Sequence, residues 1–238
     1  MLHGAQRGAF DLEFRVPSEC ARVVAAGAAD IGIIPSVELN RHDYGRVHGL
    51  GIASHGAVRS ILLVSSLPFG KIQALAADIS SRTSVALARV ILARRYGVAP
   101  RMLPFAPDLD GMLAVADAAL MIGDPALHLN AEALNYHVLD LGAVWTEMTG
   151  LPMVFAIWAG RKAAITPDVE AVFHASYEYG RAHLDDIIRL DAAQRGISPD
   201  LAREYLTRNI VCELGPTDYR GLELFLAYAR VEQEAAAV

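Results

Sequence analysis

The segment MVFAIWA, residues 153–159, is apolar at every position and has the length of a strand. Such a run offers no polar side to water, so it predicts a strand covered on both faces, in the middle of a sheet. A sheet with an interior strand of this kind needs helices packed against it. The chain supplies them in a repeated order. Pro17 and Ser18 open a helix, CARVVAAG, that Gly27 closes, and AADIGIIPS follows as a short buried strand ending at Pro35 and Ser36. Later, LDGMLAVADAALMIGDPAL gives a short helix, a turn at Ala116 and Asp117, the apolar strand ALMI, and a polar loop at Gly123 and Asp124. Two helix–turn–strand units of matching grammar suggest two α/β lobes.

FDLEFRV, Phe10 to Val16, alternates like a further short strand, and GLGIASHGAVRSILLVSS reads as a strand pair around a Gly-containing turn. From Thr166 onward the pattern is helical. Thr166-Pro167 and Ser198-Pro199 each place a capping hydroxyl ahead of a proline at the first helical position. The amphipathic segments after them read as cladding on a lobe, with Tyr177, Tyr179 and Tyr228 as packing residues. Trp145 and Trp158 sit in apolar surroundings and read as core.

At 238 residues with 53% apolar and 20% charged side chains, the composition is that of a globular protein with a sizeable core. A net charge of −6 and no basic run argue against a nucleic-acid partner. Cys20 and Cys212 are far apart in apolar contexts and read as buried free thiols; no CxxC or HxxxH spacing supports a metal site. RHDYGRVHG, residues 41–49, mixes His, Asp and Arg without ligand order and reads as a surface loop. No apolar run reaches the roughly 18 residues of a membrane span, and the start is not a signal peptide, so the chain reads as cytoplasmic. Oligomeric state has no signature in the sequence.

The most polar punctuation is Ser80-Ser81-Arg82-Thr83-Ser84, directly ahead of the helix VALARVILARRY that Gly97 and Pro100 terminate. An N-cap needs one hydroxyl. Several hydroxyls at a helix start, with unpaired amides and the positive dipole end, suit a carboxylate or phosphate. Ser36, Ser54 with Gly56, and Asp124 also follow strands, where ligands of α/β proteins bind. Together they suit a small acidic molecule held between lobes. Arg82 contacts that molecule, stabilises its loop or points to solvent, and Arg59 reads as a structural ion pair.

VPSECARVVAAGAADIGIIPSVEL, GIASHGAVRSILLVSS, SSRTSVALARVIL, ALMIGDPAL and TGLPMVFAIWAGR resemble, in order, motifs of the chorismate dehydratases of the futalosine route to menaquinone. The resemblance runs from about Phe10 to Arg161 and implies the two-lobed α/β fold of type II periplasmic binding proteins. The expected division is residues 1–68 with 154–238 in one lobe and 69–153 in the other. It implies loss of water from chorismate to give 3-[(1-carboxyvinyl)oxy]benzoate, with no cofactor and no metal. A related enzyme of the same route, which makes 1,4-dihydroxy-6-naphthoate, carries a catalytic histidine where this chain has Asp124, so IGDPAL favours the dehydratase. A non-catalytic solute-binding module is the reading from another class.

On this resemblance Ser81, Arg82, Thr83 and Ser84 hold one carboxylate, while Ser36, Ser54 and Gly56 bind from the opposite lobe. The base is either Asp124 or the substrate's own enolpyruvyl carboxylate; Asp124 has the alternative use of capping the helix that begins PAL. Family members also begin with a strand and a loop of the type SYLNxxPL. Met1 lies only a few residues ahead of Gly4 here, so the resemblance implies a truncated form lacking that strand and its asparagine.

Overall fold

The computed structural model describes residues 6–78 and 81–235. Strand β1 (Ile31–Pro35) ends the unit opened by helix α1 (Pro17–Ala25), whose last turn gives way to Gly27 at φ 71°. Strand β2 (Gly45–Ser54) follows, then a crossover to β3 (Ile61–Ser65) and β4 (Ala74–Ala77). Helix α2 (Arg82–Tyr96) closes on Gly97 in the left-handed region and leads to β5 (Arg101–Pro104). Next come α3 (Leu109–Val115), β6 (Ala118–Ile122), the single turn α4 (Asp124–Leu127), β7 (His137–Asp140) and α5 (Leu141–Thr149). The apolar run is β8 (Met153–Gly160). After it come α6 (Pro167–Ala182), α7 (Leu184–Asp191), α8 (Pro199–Glu204), a π-helical turn over Tyr205–Asn209, β9 (Val211–Glu213) and α9 (Pro216–Ala235). Thr166 accepts from Val169 N and Ser198 from Leu201 N, the two caps read from their Ser/Thr-Pro pairs.

Strands form two sheets. In the first, of order β1-β8-β2-β9, β8 is interior and antiparallel to both neighbours. In the second, of order β5-β4-β6-β3-β7, β4 runs parallel to β5 and β6, and β3 is antiparallel to β6 and β7. This is the two-lobed α/β architecture expected.

Three details differ from the sequence reading. β2 and β3 are no hairpin: they belong to different sheets, and residues 55–60 cross between them. β3 pairs with β6 and β7 of the second sheet. Gly45–His48, taken with the surface loop, open β2, where Val47 is buried. Residues 11–16 form no strand, although they alternate: no described strand pairs with them, and an extended segment without a ladder partner stays irregular.

Helix α9 binds the two halves into one core. Phe225 and Ala229 pack in one cluster with Met153 and Phe155 of β8, and with Leu87, Val90 and Ile91 of α2. Trp145 is fully buried there, its indole N–H donating to Pro152 O at 3.0 Å and its ring meeting Phe225 edge-on. Gly221 lets α9 approach the start of β8, for a β-carbon there would overlap Pro152 O. Helix propensity alone makes Gly221→Ala stabilising by at most about 1 kcal/mol. The overlap involves backbone that cannot step aside, and forced overpacking costs about 1–3 kcal/mol. The expected outcome is therefore a net loss of stability, read as a lower urea midpoint at unchanged slope.

Candidate functional site

The junction between the sheets is built from strand ends on one side and helix starts on the other. β1 ends in Pro35, and Ser36 begins a 3-10 turn with its side chain fully buried. Its hydroxyl donates to Val154 O at 2.7 Å, which uses its only proton. Thr83, in the first turn of α2, stands 3.4 Å away and accepts from Val37 N at 3.3 Å. The Ser36–Thr83 contact can then be donated only by Thr83. One hydroxyl pair thus staples the start of α2 to the end of β1.

Ser81 and Ser84 make a second pair, Oγ to Oγ at 2.8 Å. Two hydroxyls sharing one bond retain one proton for another acceptor. That proton sits in the first turn of α2, where amides lack carbonyls four residues back. Ser80 lies outside the described residues. Arg82 turns to lobe one: its guanidinium donates to Glu38 at 2.9 Å, and Glu38 is 2% exposed. Arg41 reaches the same oxygen only at 4.0 Å.

Ser54 ends β2 fully buried and donates to Gly56 O at 2.9 Å. Gly142 allows α5 to start against this turn, since a β-carbon there would lie 2.6 Å from both Ser54 Oγ and Gly56 O. On the turn's outer side the half-exposed His55 meets the buried carboxylate of Asp218, Nε2 to Oδ1 at 2.8 Å. Asp218 also accepts from Gly215 N.

The end of the crossover is held by Asp140. Its carboxylate caps α5 through Ala143 N at 3.0 Å and accepts from Val58 N at 3.0 Å and Arg59 N at 2.6 Å. Arg59 has a positive φ, 66°, costly for a residue with a β-carbon. Among the described residues its guanidinium meets no carboxylate, contrary to the ion pair expected. It donates to the carbonyls of Ala126, Leu127 and Leu129 at 3.1, 3.4 and 2.7 Å, and so fastens α4.

Asp124 opens α4, with Gly123 as the capping residue and no cap bond from the Asp124 side chain. The capping alternative therefore falls away: Asp124 Oδ2 pairs with Arg195 at 2.9 Å. Arg195 O also bonds His128 Nε2 at 2.8 Å, so the turn between α7 and α8 sits on α4. Beneath it is a cavity of about 330 Å³ lined by Asp124, Leu127, Ile188, Arg195, Ile197 and Tyr205, among others. Tyr205 donates to Ser60 Oγ at 3.0 Å. Burial pushes its phenol up, the Ser60 hydrogen bond acts against this, and the nearby Asp124 carboxylate adds to the rise.

Ser36 is thus brought to Thr83, Ser81 to Ser84, and Ser54 to Gly56, while Asp124 joins a separate group with Arg195 and Tyr205. Sequence reasoning missed Arg195 and Tyr205, which lie far along the chain, Arg195 in the turn between α7 and α8 and Tyr205 at the start of the π-helical turn after α8. Their one signal is the Ser198-Pro199 cap, which starts α8 between them.

Two α/β lobes joined by a crossover, with strand ends and helix starts meeting at the junction, define the fold class of periplasmic solute-binding proteins. Protein AF1704 from Archaeoglobus fulgidus shares the fold at a TM-score of 0.68 and 17% identity, over 94% of this chain and 85% of that one. The alkanesulfonate-binding protein SsuA from Xanthomonas axonopodis pv. citri does so at 0.63 and 14%, over 93% and 82%. The chain belongs to the menaquinone biosynthesis family, whose profile matches residues 1–231. Chorismate dehydratase of Thermus thermophilus is 29% identical over 229 residues, covering 88% of this chain and 83% of the relative. Among the described residues no helix is long and apolar enough to cross a membrane.

Arg82 offers a direct test of structural against ligand-binding use. Arg82→Met leaves Glu38 buried opposite a distant Arg41, and stripping one partner from a buried pair is expensive, though the part-exposed guanidinium moderates it. A loss of about 2 kcal/mol is expected in urea denaturation, largely recovered when Glu38→Gln is added. A full-strength single variant with weakened ligand binding would instead assign Arg82 to the ligand.

Proposed function

We propose that this protein removes water from chorismate to form 3-[(1-carboxyvinyl)oxy]benzoate, as a step of menaquinone biosynthesis, and that it does so in the cytoplasm without a cofactor or metal. Family membership and the dehydratase relative support the reaction. Cys20 and Cys212, both free thiols, accord with a reducing compartment. The observation that carries the reading is the contact of Ser36 with Thr83, because it brings the start of α2, with its hydroxyls and amides, onto the opposite lobe.

In this reading Ser81 and Ser84, with the first amides of α2, take one carboxylate of the substrate. Thr83 contributes its amide and sets the angle of the helix through Ser36. Ser54 and Gly56 form the wall of the facing lobe, and Arg82 lends positive charge at the rim while holding Glu38. A proton leaves the ring carbon bearing the enolpyruvyl ether, hydroxide leaves the neighbouring carbon, and the ring becomes aromatic. Asp124 is the protein's acceptor for that proton: Arg195 engages Oδ2 and holds the carboxylate in place. The substrate's own enolpyruvyl carboxylate is the alternative acceptor. The protein's further task is orientation, since an aligned ring eliminates water where a free one rearranges.

Incubation with chorismate is expected to yield the aromatic ether, followed by its ultraviolet absorbance and by mass. Binding without turnover would favour the solute-binding module. Asp124→Asn is expected to lower kcat by about 10²-fold or more if Asp124 is the base. Stability should change by less than about 1 kcal/mol, because the Arg195 pair is exposed. Unchanged kcat would pass the role to the substrate carboxylate. Ser84→Ala is expected to weaken chorismate by about 1.5–3 kcal/mol in calorimetry, the range of one hydrogen bond to a charged group.

A further inference from the structure

Helices α7 and α8 form a hairpin that sits on α4 yet packs mainly on itself. Among the described residues its apolar cluster is Ile188, Ala192 and Ala202, with Leu184, Ile197 and Leu206 around them. Every member comes from the hairpin or the turn that follows it. Between the hairpin and α4 lies the cavity of about 330 Å³, so close packing does not set the hairpin's place there. Polar bonds have to do so. Ahead of α8, Arg195 bonds Asp124 through its guanidinium and His128 through its carbonyl, and both bonds are exposed. After α8, Asn209 donates to Ala57 O at 3.1 Å, also in the open. The bond from Tyr205 to Ser60 Oγ is partly buried, and Ser60 is 4% exposed. Exposed polar bonds trade freely with water and hold little, whereas a bond closed off from water keeps its strength.

We propose, on the reading of Asp124 as the base, that Tyr205 is a positioning residue for it, acting through the hydrogen bond that its phenol donates to Ser60. The bond works in two directions. On the inner side, Ser60 O accepts from Gly123 N at 2.8 Å. Gly123 caps α4 at φ 70° and ψ −145°, and a residue without a β-carbon does little to fix its own backbone there. Its place, and that of Asp124 beside it, therefore depends on how Ser60 is held. On the outer side, the same bond ties the end of α8 to the crossover. A helix of six residues moves as one rod, so this tie also steadies the turn ahead of it, where Arg195 meets Asp124. The π-helical turn begins at Tyr205, and Ile210 N closes it on Tyr205 O at 3.1 Å. Widened turns of this kind are found frequently at functional sites. Without the Tyr205 hydroxyl, Arg195 would rest on exposed bonds alone and Asp124 would lose a firmly placed cation at Oδ2.

Tyr205→Phe removes the hydroxyl and keeps the ring in the cavity wall. The expected result with chorismate is a fall in kcat of about tenfold with KM within about twofold, since the donors assigned to the substrate are untouched. Ser60→Ala cuts the same bond from its other end while keeping the Ser60 carbonyl, and should lower kcat alike. The double variant should be no slower than either single one. In an Asp124→Asn background, Tyr205→Phe should change kcat by less than about twofold. Nuclear magnetic resonance of arginine-labelled protein gives a readout apart from turnover. The Arg195 Nε–H signal, assigned by its loss in Arg195→Met, should move in Tyr205→Phe. Unchanged kcat in Tyr205→Phe, a rise in KM alone, or an undiminished loss in the Asp124→Asn background overturns the proposal. So does an unmoved Arg195 signal, which leaves Asp124 standing as the base. Normal turnover by Asp124→Asn itself is a different failure: it removes the base, and the role of Tyr205 with it, even where the Arg195 signal has moved.

Discussion

The carboxylate of Asp140 is the interaction on which the geometry of the junction depends. It caps α5 and at the same moment takes the amides of Val58 and Arg59, so a helix start in one lobe and the crossover from the other share one anion. Three N–H donors on one carboxylate are enough to hold Arg59 in a backbone region that an L-residue avoids. That conformation aims the Arg59 guanidinium at the last carbonyls of α4, and α4 carries Asp124. From Asp140 to Asp124, each link is a bond to backbone. The position of the proposed base is thereby set by main-chain geometry on both sides of the crossover.

Much of this organisation was legible in the sequence where local rules coincide with the tertiary outcome. MVFAIWA became an interior strand because an all-apolar run has no other stable place. The Thr166 and Ser198 caps formed as their Ser/Thr-Pro pairs require. Failures came where pairing partners decide. FDLEFRV has a strand's alternation, yet alternation specifies a face and supplies no neighbour. GLGIAS and RSILLVSS are both strands, but nothing in a Gly-containing turn distinguishes a hairpin from a crossover between sheets.

The candidate site was legible as residue types and opaque as proton accounting. The hydroxyls of Ser36, Ser54 and Thr83 drew attention as donors, and two of them give their protons to Val154 and Gly56 carbonyls. Arg82 looked like a ligand cation and is answered by Glu38, forty-four residues away. Tyr205 and Arg195 reach Ser60 and Asp124 from the last third of the chain. Such contacts follow from how α7 and α8 pack, and no spacing rule connects them.

A net charge of −6 sets the remaining constraint on a protein proposed to bind a dicarboxylate. Long-range attraction cannot bring the ligand in, so affinity has to arise from donors that act over one bond length. The junction is arranged in that way. Its nearby guanidiniums are largely committed, Arg82 to Glu38, Arg195 to Asp124 and Arg59 to carbonyls, which leaves hydroxyls and amides to face an anion. Neutral donors suit elimination better than cations would. A strong cation on the ring's substituents would bind ground state and transition state alike, and uniform binding does not accelerate the step. In the proposed site, fixed dipoles at the start of α2 would instead orient the ring without holding the departing hydroxide's neighbourhood at one charge. A scaffold that binds solutes between lobes would then need little more than one proton acceptor to become a dehydratase, and Asp124, the proposed one, stands on a short helix that Arg59 of the crossover fastens down.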